Sequence, residues 1–288
     1  MPLIKAYLLP HSPLLIPEIG KANHSFLNKT TAAYEKIKTD LVSSGIETII
    51  IISPHNQIGD EFFIINSAPE MELTFSDFGF IPQKNYLKGD VLLSDIIKNQ
   101  LKNAFPIKIT SEEKLDYGSA IPLYLLKSPD SSFKVLVISP VEKLDLTTHF
   151  KYGEKLAEII QTSNKNIAII ASGDLSHRLK RKSPGGYSPK GAKFDNKVIE
   201  YLSEPETAKN NILNMDKKLI LEASECGLKP ITIMLGLLNQ TRWESDILAY
   251  QTDFGVGYLS LEFSLQNNEN RIEDKNLDIS ATENKSIS

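Results

Sequence analysis

Apolar positions along this chain follow two rhythms. Short unbroken runs rich in β-branched residues lie at 3–9, 47–53, 62–66, 133–139 and 166–171. Runs of this length and make-up predict strands buried on both faces. Between several of them, apolar residues recur every three to four positions, which predicts amphipathic helices over 25–44, 89–103, 149–162 and 191–202. The first of these meets Gly45, a natural helix terminator, and leads straight into the run at 47–53. Strand–helix alternation of this kind predicts an α/β fold with a mostly parallel central sheet and helices on both faces. Near the end, 245–251 and 255–263 flank a turn around Asp253, which predicts a C-terminal antiparallel strand pair. From 266 the composition turns polar, without aromatics (QNNENRIEDKNLDISATENKSIS). The expectation is one domain over 1–265 and a disordered polar tail over 266–288.

Composition narrows the function classes. The 288 residues carry a formal net charge of -4, and the pI is about 5.8. No broad basic field is present for nucleic acid or an anionic membrane, and the basic run 178–182 (RLKRK) reads as a solvated loop. No apolar stretch approaches the roughly 18 residues of a membrane span. The N-terminus is apolar, but Pro10, Pro13 and Pro17 break the helix a signal peptide needs. Cys226 is the single cysteine, so no intramolecular disulfide forms. The expected location is the cytoplasm.

The histidines carry the chemistry. His11, His55 and His177 each follow a predicted strand closely, as KAYLLPH, TIIIISPH and IAIIASGDLSH. In open α/β sheets, ligands bind beyond the carboxyl ends of the strands, where side chains remote in sequence converge. His11 and His55 share a strand–Pro–His arrangement, and the proline fixes the backbone that aims the ring. Neutral imidazole is the commonest protein ligand for first-row metals, so the pair is a candidate metal site. A third donor is required; the segment LILEASECGLKPI offers Glu222, Glu225 and Cys226, with a carboxylate suiting iron and a thiolate suiting zinc or copper. Asp174 and His177, three apart in ASGDLSHRL, form a candidate proton-transfer pair beside the metal. His149 opens a predicted helix, and His24 reads as a solvated loop residue. Glycine-rich phosphate loops, GxSxG elbows and CxxC pairs are absent.

The blocks PHSPLLIPEIG, IIIISPHN, LDYGSAIPLYLL, IASGDLSHRL, GGYSPKGAKFD, SECGLKPI and TDFGVGYLS occur in this order. Together they resemble the class III extradiol dioxygenase superfamily of the LigB type, and within it the AmmeMemoRadiSam system protein B, or Memo-like, branch. The resemblance implies a LigB-like fold, Fe(II) or alternatively Zn(II), and ring opening of a small aromatic diol with O2. It implies His11 and His55 as metal ligands, Glu225 or Cys226 as the third, and His177 as the acid and base. The Memo-like likeness implies instead a metal-binding component that works with radical-SAM and AMME-type protein partners. One departure is visible: where dioxygenase relatives read DHG, this chain has Asp116-Tyr117-Gly118. A tyrosine there donates a hydrogen bond but does not shuttle a proton near neutral pH.

Overall fold

A computed structural model describes residues 2–55, 61–83, 85–129 and 132–266. The strands are β1 (Leu3–Leu9), β2 (Thr48–Ile52), β3 (Phe63–Asn66), β4 (Glu70–Glu72), β5 (Tyr86–Lys88), β6 (Ile107–Thr110), β7 (Lys134–Ser139), β8 (Ile167–Ser172), β9 (Trp243–Gln251) and β10 (Tyr258–Leu265). The α-helices are α1 (Pro17–Gly20), α2 (Asn28–Ser43), α3 (Val91–Leu101), α4 (Tyr117–Leu126), α5 (Leu146–Gln161), α6 (Pro189–Leu202), α7 (Pro205–Leu213), α8 (Lys217–Ala223) and α9 (Leu228–Leu237).

Eight strands form one sheet in the order β6-β3-β7-β2-β8-β1-β10-β9, and β4 pairs with β5 in a separate small ribbon. β7, β2, β8 and β1 run parallel at the centre, and β1, β10 and β9 pair antiparallel. This is the mixed α/β architecture the apolar pattern predicts, with the terminal pair where it was expected. β3 departs from it, running antiparallel to β7 and parallel to β6.

The central strands are buried along nearly their whole length because both faces are covered. Alternate side chains feed two cores: Ile50, Ile52, Leu136, Ile138 and Ile169 on one face, Ile49, Ile51, Val135, Val137 and Ile170 on the other. α5 and α9 cover the first face, α2 and α4 the second. α2 ends at Ser43, and Gly45 takes the left-handed conformation (φ +59°) that lets the chain turn into β2. No helix among the described residues is long and apolar enough to cross a membrane. The polar tail expected over 266–288 lies, from 267 onward, outside the described residues.

Candidate metal centre

Because β1, β2 and β8 are parallel neighbours, their carboxyl ends open at the same edge of the sheet. β1 ends at Leu9, and Pro10 then delivers His11 into a fully buried position. Its backbone N–H donates to Asp174 Oδ1 at 3.0 Å. The ring is fixed from behind by Ser172, the last residue of β8, whose Oγ lies 2.9 Å from His11 Nδ1. Ser172 gives its one proton to the carbonyl of Gly118 at 2.6 Å, so it must accept from His11 Nδ1–H. Nδ1 therefore carries the proton, and Nε2 presents its lone pair to the site. Desolvation, then the nearby His177, pushes the His11 pKa down to about 3, so the ring is neutral at physiological pH.

His55 arrives the same way from β2, through Ser53 and Pro54. Its Nε2 lies 2.9 Å from His11 Nε2. Burial and the proximity of His11 hold its pKa near 3 as well. Tyr117, the first residue of α4, stacks on the His55 ring with centroids 4.3 Å apart and brings its hydroxyl 2.9 Å from Nε2. Asp116 caps α4 and accepts from Ser53 Oγ at 2.5 Å, which ties the β2 loop to the helix start.

Cys226 brings a third candidate donor beside the two rings. Its Sγ lies 3.5 Å from His11 Nε2 and accepts from the Asp174 N–H at 3.3 Å. Burial, with Asp174 second, raises its thiol pKa well above the ordinary range. One donor atom from each of His11, His55 and Cys226 lies within 4.8 Å of the others. The structure does not bring Glu225 into this group. Its carboxylate turns the other way and accepts from Leu228 N–H at 2.6 Å, capping the start of α9, and burial pushes its pKa up to about 7. Glu222 likewise points elsewhere, accepting from Ser188 Oγ at 3.0 Å.

His177 lies at the rim of the group. Its Nδ1 donates to the Ser224 carbonyl at 2.7 Å, so Nε2 is the nitrogen without a proton in the neutral ring, and Asp174 Oδ2 lies 3.8 Å from it. A backbone carbonyl, not Asp174, thus sets the tautomer. Asp174 is fully buried between the two histidines, its Oδ2 also 4.0 Å from His11 Nε2. Desolvation raises its pKa to about 6, against the opposing pull of His177. His149 is not part of the site. Both its ring nitrogens are used inside the protein, Nδ1 on the Asp145 carbonyl and Nε2 on the Val141 N–H. His24 is half-buried in the 3-10 segment Lys21–Leu27, with its Nε2 buried. Ser172 is the residue sequence reasoning passed over; the signal was a lone hydroxyl ending an otherwise apolar strand.

Two of the three donor spacings suit one divalent ion. Two imidazole nitrogens about 2.05 Å from an ion and at right angles around it are about 2.9 Å apart, and a thiolate at about 2.3 Å near the tetrahedral angle is about 3.5 Å from such a nitrogen. Those are the spacings of 2.9 and 3.5 Å found here. Beside His55 and Tyr117 opens a cavity of about 600 Å³, walled also by Phe75, Phe78, Leu115 and Val137.

Comparison with known proteins shows the family. Residues 5–260 match the family described as the catalytic LigB subunit of aromatic ring-opening dioxygenase. Protein CA_C1420 of Clostridium acetobutylicum is 30% identical over 262 residues, which is 88% of this chain and 55% of that protein. This chain thus spans about half the length of that relative. The 3,4-dihydroxyphenylacetate 2,3-dioxygenase of Escherichia coli is 26% identical over 203 residues, 67% of this chain and 73% of the enzyme. The crystal structure of the uncharacterized protein JW3007 from Escherichia coli K12 shares the fold, with a TM-score of 0.67 and 19% identity over 90% of this chain and 99% of that one. The match over 5–260 spans nearly all the described residues, and the chain belongs to the LigB family of aromatic ring-opening dioxygenase catalytic subunits.

Proposed function

We propose that the chain is a metal-dependent extradiol dioxygenase in which His11, His55 and Cys226 hold Fe(II) and a catechol-type diol is opened with O2. The observation that carries this reading is the convergence of three donor atoms within 4.8 Å, one of the three residues, His55, also lining a cavity of about 600 Å³. Fe(II) held there would supply the redox centre at which diol and O2 meet. The residues around it have separable tasks. Ser172 orients His11, and Asp174 holds the His11 backbone in place. His177 Nε2, with its tautomer locked by Ser224, accepts the diol proton and returns it as the ring opens. Phe75 and Phe78 give the ring an apolar wall to pack against.

Two observations favour a second reading. Cys226, and not Glu225, lies within reach of His11, and thiolate prefers Zn(II). Tyr117 occupies a position where imidazole would move protons. On this reading the chain is a Memo-like, metal-binding component acting with radical-SAM and AMME-type partners. On either reading a thiol donor suits a reducing compartment, which supports a cytoplasmic setting. Metal analysis of protein purified anaerobically, followed by oxygen uptake over a panel of catechols, separates the two. Iron at one equivalent with oxygen consumption is expected from the first. Zinc with none would overturn it in favour of the second.

A further inference from the structure

The cavity beside His55 and Tyr117 is charged on one side in a way the ring-opening reading does not require. Its apolar wall, Phe75, Phe78, Leu115 and Val137, shares the cavity with His55 and Tyr117, and Phe78 packs edge-on against Tyr117 with centroids 5.7 Å apart. The rest of the lining includes Asp77, Glu112, Lys114 and Asp116. Asp116 accepts from Ser53, from the Ser119 N–H and from the Ser119 hydroxyl. Asp77, Glu112 and Lys114 make no ion pair within 4.0 Å among the described residues, so none neutralises another. Three carboxylates against one ammonium leave the lining with a formal charge of two negatives.

We propose that this cavity selects an aromatic diol whose side chain carries a positive charge, such as an ammonium, over one carrying a carboxylate. The proposal rests on the ring-opening reading of the metal site and adds its substrate class. A diol held at His11, His55 and Cys226 would lay its ring against Tyr117 and Phe78 and extend its substituent between Asp77 and Glu112. There a cation gains from two uncompensated carboxylates, whereas a carboxylate is repelled by both and attracted only by Lys114. Solvent reaches these side chains, so the effect is moderate and falls with salt. The selectivity differs from that implied by the name of the Escherichia coli relative, whose substrate carries a carboxylate.

The test is anaerobic calorimetry on the full chain loaded with Fe(II). The titrants are 2-(3,4-dihydroxyphenyl)ethylamine, 3,4-dihydroxyphenylacetate and the uncharged 4-ethylcatechol. The amine should bind roughly tenfold tighter than the acid at low salt, with the uncharged compound between them. In the Asp77→Asn/Glu112→Gln double variant the ratio should shrink to about twofold, and Lys114→Gln should widen it. Both sets of side chains are exposed, so the variants should fold. Equal or tighter binding of the acid, or a ratio unmoved in the double variant, overturns the inference while leaving ring opening intact. Failure to take up metal, or to bind any of the three, overturns the ring-opening reading and this inference with it.

Discussion

At the scale of single residues, the proposed centre divides into candidate donors and the groups that aim them. Exchanging His11 for Ala removes a donor whose orientation Ser172 fixes, and metal affinity should fall at least a hundredfold by competition with a chromophoric chelator. His177→Ala should keep metal content near the wild-type level while abolishing oxygen uptake; loss of metal together with activity would make His177 a ligand instead. Asp195 tests electrostatics away from the metal. It is fully buried, accepting from Ser176 N–H and Tyr250 O–H at 2.8 Å each, and burial pushes its pKa up to about 7. A carboxyl whose folded pKa lies above its unfolded value near 3.9 favours the native state when protonated. Its contribution is whole below about pH 4 and is lost as pH rises toward 7. Asp195→Asn stays uncharged and keeps an acceptor for Ser176. Its stability relative to wild type should therefore climb between pH 5 and 8 by the order of 2–4 kcal/mol, as read from urea melts. A flat difference across that range would show that Asp195 titrates normally.

Among elements, the site depends on how closely the end of β8 approaches the start of α9. A Cβ added at Gly173 would lie 2.3 Å from Gly227 Cα, so only glycine lets these segments touch. That contact brings the Asp174 N–H onto Cys226 Sγ. Gly173→Ala should force the segments apart, costing about 1–3 kcal/mol in denaturant unfolding. Because Cys226 moves with α9 while His11 stays on β1, metal affinity should fall further than stability alone explains. Retention of full affinity would mean that Cys226 is dispensable as a donor.

For the whole molecule, the candidate donors come from three segments far apart in sequence: the ends of β1 and β2 and the loop before α9. An ion that binds them only when folded stabilises the native state by mass action. At a hundredfold excess over Kd this is about 2.7 kcal/mol, or a rise in Tm of about 5–10 °C for a chain of this size. Divalent metal should produce that rise in the wild type and not in His11→Ala. An equal rise in both would point to binding elsewhere.

Much of this architecture was legible in the chain. The runs that became β1, β2, β7 and β8 are unbroken apolar stretches, because strands covered on both faces tolerate few polar positions. His11 and His55 were legible because a proline ties each histidine to the end of such a strand. β4, β5 and β6 were not: EME, YLK and IKIT are short, charged and only partly buried, so no periodicity marks them. The direction of β3 was equally hidden, since a buried strand has the same apolar pattern whichever way its neighbours run. The third donor shows the boundary most plainly. Glu225 and Cys226 are adjacent, and both belong to residue types that bind metals. Local sequence carries no record of which of two neighbours in a turn faces a histidine 215 positions away. The crossing of β8 and α9 decides it, turning the thiol toward His11 and leaving the carboxylate to cap the helix, because backbone direction in a packed loop is set by the contacts that close it.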